Sequence, residues 1–178
     1  MADSKISDLP LRDALTGAEQ FPLDQGLVTV KASLDDVKQY CNTILTLTDG
    51  TWSGIFSEYG ILGEAVAFGE LIYLSAADSK WYKADATTAA TSGDVKVGVC
   101  VVGGVLDAVT TILYIGSIRA DALFPTFTIS GPVMISETPG EMTQTAPVTS
   151  NSVTRRIGFA STANEVLINI SNDYYTHI

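Results

Sequence analysis

The residues best equipped for chemistry in this chain are few and scattered. Its single histidine, His177, stands beside the C-terminus, and no Ser/His/Asp or Cys/His set assembles around it. Cys41 and Cys100 are far apart and form no CxxC, HExxH or other zinc-type cluster, so they read as two buried thiols. Asp35-Asp36 could ligate a hard cation, but they follow Ser33-Leu34 and suit the first turn of a helix better. Glu137 and Glu141 flank the turn pair Pro139-Gly140 and could form an acid/base pair, yet solvated turn carboxylates explain them better. Gly103-Gly104 lacks the Lys-Ser/Thr of a phosphate loop, and Asn169-Ile170-Ser171 fits a glycosylation pattern only by chance. The expectation is therefore no catalytic residue, no metal site and no cofactor. Binding readings are stronger. Trp81-Tyr82 and Tyr174-Tyr175 are candidate surface ligand or subunit contacts, because aromatic rings stack on sugars and anchor interfaces. Core filling is the competing reading for Trp81. For NDYYTHI at the C-terminus it is a strand end packed on a neighbouring subunit.

The elements that would position these residues are mostly strands. TILTLT, LIYL, KWYKA, VKVGVCVV, TTILYI, PVMI, TRRIGFA and EVLINI are short runs of β-branched and aromatic residues, punctuated by Gly, Asn, Asp, Ser and Pro. The spacing predicts a mainly β fold, a compact barrel-like or sandwich-like domain. Beyond residue 42 the only hint of helix is in ADATTAATSG.

Two stretches echo each other. LIYLSAADSKWYKADA and PVMISETPGEMTQTAP share an apolar strand, a tight turn and a second strand. A Thr/Ser/Ala-rich connector follows in both, then VKVGV against RRIGF with Gly98 opposite Gly158, then TTILYI against EVLINI. This order predicts an internal duplication, with halves at about 63–119 and 129–174 of a domain spanning 63–178. Glycine inside a strand marks a bulge, a bend or a close backbone approach. Met142 stands where the first copy has Trp81, so equivalent packing would point both side chains the same way relative to the core.

Residues 1–42 differ. Pro10 and Pro22 disfavour helix at the residues before them, Gln25-Gly26 suggests a small hairpin, and Ser33 suggests the N-cap of a short helix over 34–40. This extended arm is too poor in large apolar residues to fold alone. Its anchors Ile6, Leu9, Leu11, Leu15, Phe21 and Leu23 suit docking on a partner or on trimer mates. Residues 43–62 read as a connecting β segment.

Composition limits the partners. The 178 residues carry 10 Lys+Arg against 20 Asp+Glu, a net charge of −10. That balance disfavours nucleic acid and anionic lipid, and Arg155-Arg156 is the only adjacent basic pair. Mean hydropathy is +0.25. Even so, the most apolar run, VGVCVVGGVL, is too short and too glycine-interrupted to span a membrane. MADSKISDLP has no apolar signal-peptide region, which leads to the expectation of a soluble protein made in a cytosol.

The N-terminal ISDLP…ALTGAEQFPLDQG…TVKASLDDVKQY resembles the opening module of bacteriophage fibre and head-fibre proteins. GEAVAFGELIYLSAADSKWYKADAT and GPVMISETPGEMTQTAP…RRIGFASTANEVLINIS resemble the β domain of phage head-fibre and capsid-decoration proteins. The resemblance implies a non-enzymatic virion structural protein, trimeric, assembled in the bacterial host cytoplasm. It would be held on the capsid surface by its N-terminal region, with the major capsid protein or another virion protein as partner. The alternative it leaves open is a tail-associated fibre or receptor-binding protein that binds host surface glycans.

Overall fold

A computed structural model describes residues 47–178 in full and the backbone of two strands before them, β1 (Gln20–Gln25) and β2 (Val28–Ser33). The chain divides into two units, Met1–Leu45 and Thr46–Ile178. In the first, β1 and β2 pair antiparallel with Gln25 opposite Val28, which is the hairpin expected from the sequence. The helix expected over 34–40, Cys41, and the anchors Ile6, Leu9, Leu11 and Leu15 lie outside the described residues, as do the side chains of Phe21 and Leu23.

The second unit is mainly β, as the alternating runs predict, and its antiparallel sheet curls on itself. Its strands are β3 (Thr51–Ile61), β4 (Leu71–Leu74), β5 (Trp81–Lys83), β6 (Val97–Cys100), β7 (Val109–Arg119), β8 (Pro132–Ile135), β9 (Met142–Thr143), β10 (Val153–Ala160), β11 (Glu165–Asn169) and β12 (Tyr174–Thr176). One short helix, α1 (Ala89–Ser92), falls where ADATTAATSG suggested it. The strand order is β5-β4-β6-β7-β11-β10-β8-β9, which reads the same in both directions once β4–β7 are matched with β8–β11.

The duplication is visible in the ladders themselves. Ile72 faces Gly98 and Leu74 faces Trp81, while Val133 faces Gly158 and Ile135 faces Met142. Both β-turns are built alike. Ser75 and Ser136 donate backbone N–H to the carbonyls of Lys80 (2.9 Å) and Glu141 (3.1 Å). Their hydroxyls accept from the N–H groups of Ala77 (3.2 Å) and Thr138 (3.1 Å), a serine turn in each copy. Both turns then need a left-handed residue at the same place, Ser79 (φ 58°) and Gly140 (φ 81°). The strand glycines mark the expected close approaches. A Cβ at Gly98 would overlap the Ile112 side chain, and one at Gly158 would overlap the Leu167 carbonyl beside a bulge in β10.

Packing breaks the symmetry. Trp81 belongs to a satellite cluster with Leu62, Val66, Ile72, Cys100, Ile112 and Tyr114. The matching residues of the second copy, Val133, Met142, Ala160, Val166 and Ile168, sit in the main core. The first copy reaches that main core with its other face, through Leu71, Val99 and Leu113. Trp81 and Met142 thus hold one register position but fill different clusters, contrary to the equivalent orientation expected of them. The first copy is covered on both sides, which is why all four residues of β6 are buried and VKVGVCVV reads as a continuous apolar run. The second copy is covered on one side, leaving Phe159 and Leu167 partly exposed.

Residues 51–61, part of the expected connecting β segment, form one of the two longest strands among the described residues. β3 pairs with β7 from Thr51↔Arg119 to Ile61↔Val109. The other edge of β7 is shared: β6 pairs at Ile112–Leu113 and β11 at Ile115–Arg119. The two wings of the sheet therefore leave one edge of one strand at successive positions.

The two turns differ in surroundings, and this is testable. The second turn plugs into the first copy: Gly140 donates to the Ala84 carbonyl and its own carbonyl accepts from Leu71, each at 2.8 Å. A Cβ at Gly140 would press on the Glu70 carboxylate, which is itself paired with Lys83 at 2.8 Å. Left-handed backbone costs a non-glycine residue about 1–2 kcal/mol. In chemical denaturation, Ser79→Gly is expected to be neutral or to stabilise by up to about 1 kcal/mol. Gly140→Ser is expected to destabilise by about 2 kcal/mol or more. Equal effects at the two positions would contradict the packing of the second turn.

Candidate functional site

Strand alternation splits the one basic pair in the sequence. On β10, Arg155 turns inward and Arg156 outward. Arg155 is only 5% exposed. Its Nε donates to the Ser171 carbonyl (2.8 Å), and its Nη1 contacts the carbonyls of Ser92 (3.1 Å), Gly93 (2.8 Å) and Val95 (2.9 Å). These include the last carbonyl of α1, which the helix cannot pair internally. A second-copy side chain thereby fastens the connector of the first copy. Burial pulls the Arg155 guanidinium below its ordinary pKa, while Asp94 opposes that shift; an arginine nonetheless stays charged in proteins. Tyr174, opposite Arg155 in the β10–β12 ladder, donates its hydroxyl to Asp94 (3.0 Å), and that bond raises the tyrosine pKa.

Beside Arg155 a cleft of about 510 Å³ opens where β6 and β11 diverge from β7. Phe56, Lys96, Tyr114, Arg155, Asn169 and Asn172 contribute its polar and aromatic lining. The Phe56 and Tyr114 rings are 5.4 Å apart and tilted. Glu58 accepts from Lys96 Nζ (2.5 Å) and the Tyr114 hydroxyl (2.6 Å), and the same ammonium lies 5.1 Å from the Tyr114 ring centroid. Burial pushes the Tyr114 phenol, with the help of Glu58, far above its usual range. For Glu58, burial acts to raise the pKa, but the bonds from Lys96 and Tyr114 outweigh it and hold the carboxyl below the usual value.

The aromatic candidates are placed unequally. Trp81 is 2% exposed and fills the satellite cluster, so the expectation of a surface ligand or subunit contact does not hold for it. The reason is β3 and the Leu62–Val66 segment, which cover a face that the repeat alone would leave open. Tyr82 is half-buried, lies 6.2 Å from Tyr73, and donates its hydroxyl to Asp78 (2.6 Å) within the first turn. Tyr174 and Tyr175 come together with Arg156 and Met134 along a shallower groove of about 390 Å³, where Tyr175 is 67% exposed. Arg156 lies over the Phe159 ring at 5.1 Å.

The weaker chemical candidates have structural surroundings. Glu137 accepts from the N–H groups of Thr149 (2.9 Å) and Val148 (3.2 Å), bonds that lower its pKa. His177 is exposed and ties its backbone to Asn151 and Ser152. Gly104 exchanges both backbone bonds with Val66. Cys100 is a buried free thiol against Thr110, and burial raises its pKa. Among the described residues no group of three His, Cys, Asp or Glu could hold a metal ion, and no helix is long and apolar enough to cross a membrane. No protein-family model and no curated protein matches the chain.

The sequence missed the cleft because its two charged walls come from residues 96 and 155, which nothing in their local spacing connects. The one available signal was the positional match between the copies: Arg155 precedes Gly158 where Val95 precedes Gly98. The cation that stands in place of an apolar residue at that register is the one that clamps the first copy's connector.

The Glu58–Lys96–Tyr114 set yields a titration. A carboxyl whose folded pKa is depressed contributes stability above its unfolded pKa, and that contribution is lost as pH falls through the folded value. Side-chain NMR should find Glu58 protonating below the ordinary 4.5, and Lys96→Met should move it upward. An unchanged Glu58 titration in the variant would contradict the ion pair.

Proposed function

We propose that this protein is a non-enzymatic structural component of a bacteriophage virion, a head fibre or capsid-decoration protein. In this reading its N-terminal unit attaches to the major capsid protein or another virion protein, and its β unit faces outward. The sequence resemblance motivates the reading, and one structural observation supports it. The outer edge of β3 has no strand partner among the described residues, and apolar side chains stand beside it. Ile55 is 87% and Tyr59 81% exposed, and the exposed Ile61 pairs with the still more open Val109. Directly opposed residues share a sheet face, so Tyr59, Thr111, Ile61 and Val109 form one strip. A long unpaired edge with apolar flanks invites association, which suits a protein that works as an assembled homotrimer. The anchors Ile6, Leu9, Leu11, Leu15, Phe21 and Leu23 remain the proposed attachment surface.

The alternative, a tail-associated fibre or receptor-binding protein, draws support from the exposed Tyr175 beside Arg156, a groove that could meet a host surface glycan. The two readings separate by place and by part. Deleting residues 1–42 is expected to leave a folded β unit that no longer decorates capsids, measured by co-sedimentation with particles. Full occupancy by the truncated protein would overturn the attachment assignment. Gold label on virions is expected on the head; label confined to the tail would favour the alternative.

A further inference from the structure

We propose that the cleft between the two wings binds a carboxylate-bearing sugar residue, with the acid at Arg155 and the ring against Phe56. The assignment stands on the cleft alone and does not depend on a virion role.

The first support is the unfinished coordination of Arg155. Its Nε and Nη1 are occupied by four backbone carbonyls, but Nη2 meets no protein acceptor among the described residues. Nor is Nη2 sealed away, since the Ser152 hydroxyl is the single sealed and unpartnered side-chain polar atom in the described residues. No carboxylate forms a salt bridge with Arg155 among the described residues. The acid that acts on Arg155, Asp94, accepts from Tyr174, and Glu58 is committed to Lys96 and Tyr114. A buried guanidinium that lines a cleft and keeps N–H groups unpartnered and unsealed is a pre-formed donor for an anion, because the carbonyl clamp has already fixed its orientation.

The rest of the lining selects the kind of anion. Lys96 is already paired with Glu58 at 2.5 Å, so Arg155, which feels Asp94 but makes no ion pair among the described residues, is the cation left to the cleft and suits a monoanion. Asn169 at the end of β11 and Asn172 just before β12 carry amides that can both donate to and accept from hydroxyls. Phe56 is 56% exposed and lines the cleft together with the apolar Ile115 and Ile170. One fixed cation, several neutral bifunctional amides and an open aromatic face match a pyranose that bears a carboxylate. The volume, about 510 Å³, lies in the range of small-ligand sites. The positive site also stands out on a chain of net charge −10, which would otherwise repel acidic sugars.

The test uses the full-length protein labelled with nitrogen-15, titrated with methyl β-D-glucuronide, methyl β-D-glucoside and sodium acetate. The glucuronide is expected to shift the Arg155 Nε–H and the amides of Lys96, Tyr114, Asn169 and Asn172 saturably. The glucoside is expected to leave them in place, and acetate to bind more weakly than the glucuronide. Arg155 variants would disturb the clamp, so the probing substitutions are at exposed positions. Asn172→Asp adds a negative charge to the cleft and should weaken the glucuronide by about tenfold. Phe56→Ala should bring glucuronide affinity down to that of acetate. Absence of saturable shifts, equal response to the glucoside, or unchanged affinity in Asn172→Asp would overturn the site. Acetate binding as tightly as the glucuronide would overturn its assignment to a sugar.

Discussion

Strand β7 is the constraint on which the rest of the described sheet depends. Its eleven residues give one whole edge to β3 and divide the other between β6 and β11. Two copies of a four-strand unit, each too small to bury an apolar face by itself, are joined at this point into a single hydrogen-bonded sheet. Since the wings leave the same edge, they must curl apart, and the curl lets one wing cover the other. The main core forms between them, with Leu71, Val99 and Leu113 on one side and Val133, Met142 and Ile168 on the other. β3 has no counterpart in the second copy. Its presence turns the free face of the first copy into the satellite cluster around Trp81.

The same divergence creates the cleft. Sheet continuity ends between Leu113 and Ile115, and what would be the next ladder position is instead open space faced by Tyr114 and Arg155. Such a gap between wings would weaken the molecule if nothing bridged it. Arg155 bridges it by gathering carbonyls from both copies, those of Ser92, Gly93 and Val95 on one side and that of Ser171 on the other. Hydrogen bonds from a charged donor are stronger than neutral ones, and a desolvated cation needs such acceptors to be tolerated. Structural clamp and ligand-binding cation are thus two uses of one guanidinium, divided between its nitrogens. The proposed sugar site and the proposed role on a virion are compatible, because an outward-facing β unit is where a surface ligand would be met.

Much of this was legible in the sequence, for reasons particular residues make plain. The two tight turns and the paired glycines Gly98 and Gly158 followed from aligning the two copies, since turn geometry and close approach restrict residue type locally; the serine bonds in the turns and the strand order of the sheet did not. The alignment also set Ser79 opposite Gly140, the two residues that the structure shows in the left-handed position of each turn. It slipped by one residue at the last strand. Thr111, and not Thr110, corresponds to Glu165, as the pairs Leu113↔Val99 and Leu167↔Phe159 require. Apolar strands of similar composition carry no local marker of register. β3 was not recognisable as a long strand because TWSGIFSEYGI is mostly exposed and lacks clean alternation. The burial of Trp81 depended on β3, and the cleft depended on residues distant in sequence, so neither could be read from one stretch. For the anchors of the N-terminal arm, the sequence remains the guide.

Amide hydrogen exchange along β7 tests the shared-strand arrangement most directly. A single sheet held at β7 should protect Leu113 through Ile118 and the paired Val166–Ile168 most strongly, and both should open together in one global transition as denaturant is added. Fast exchange at Ile115–Ile118, or separate opening of the β4–β7 and β8–β11 copies, would contradict it.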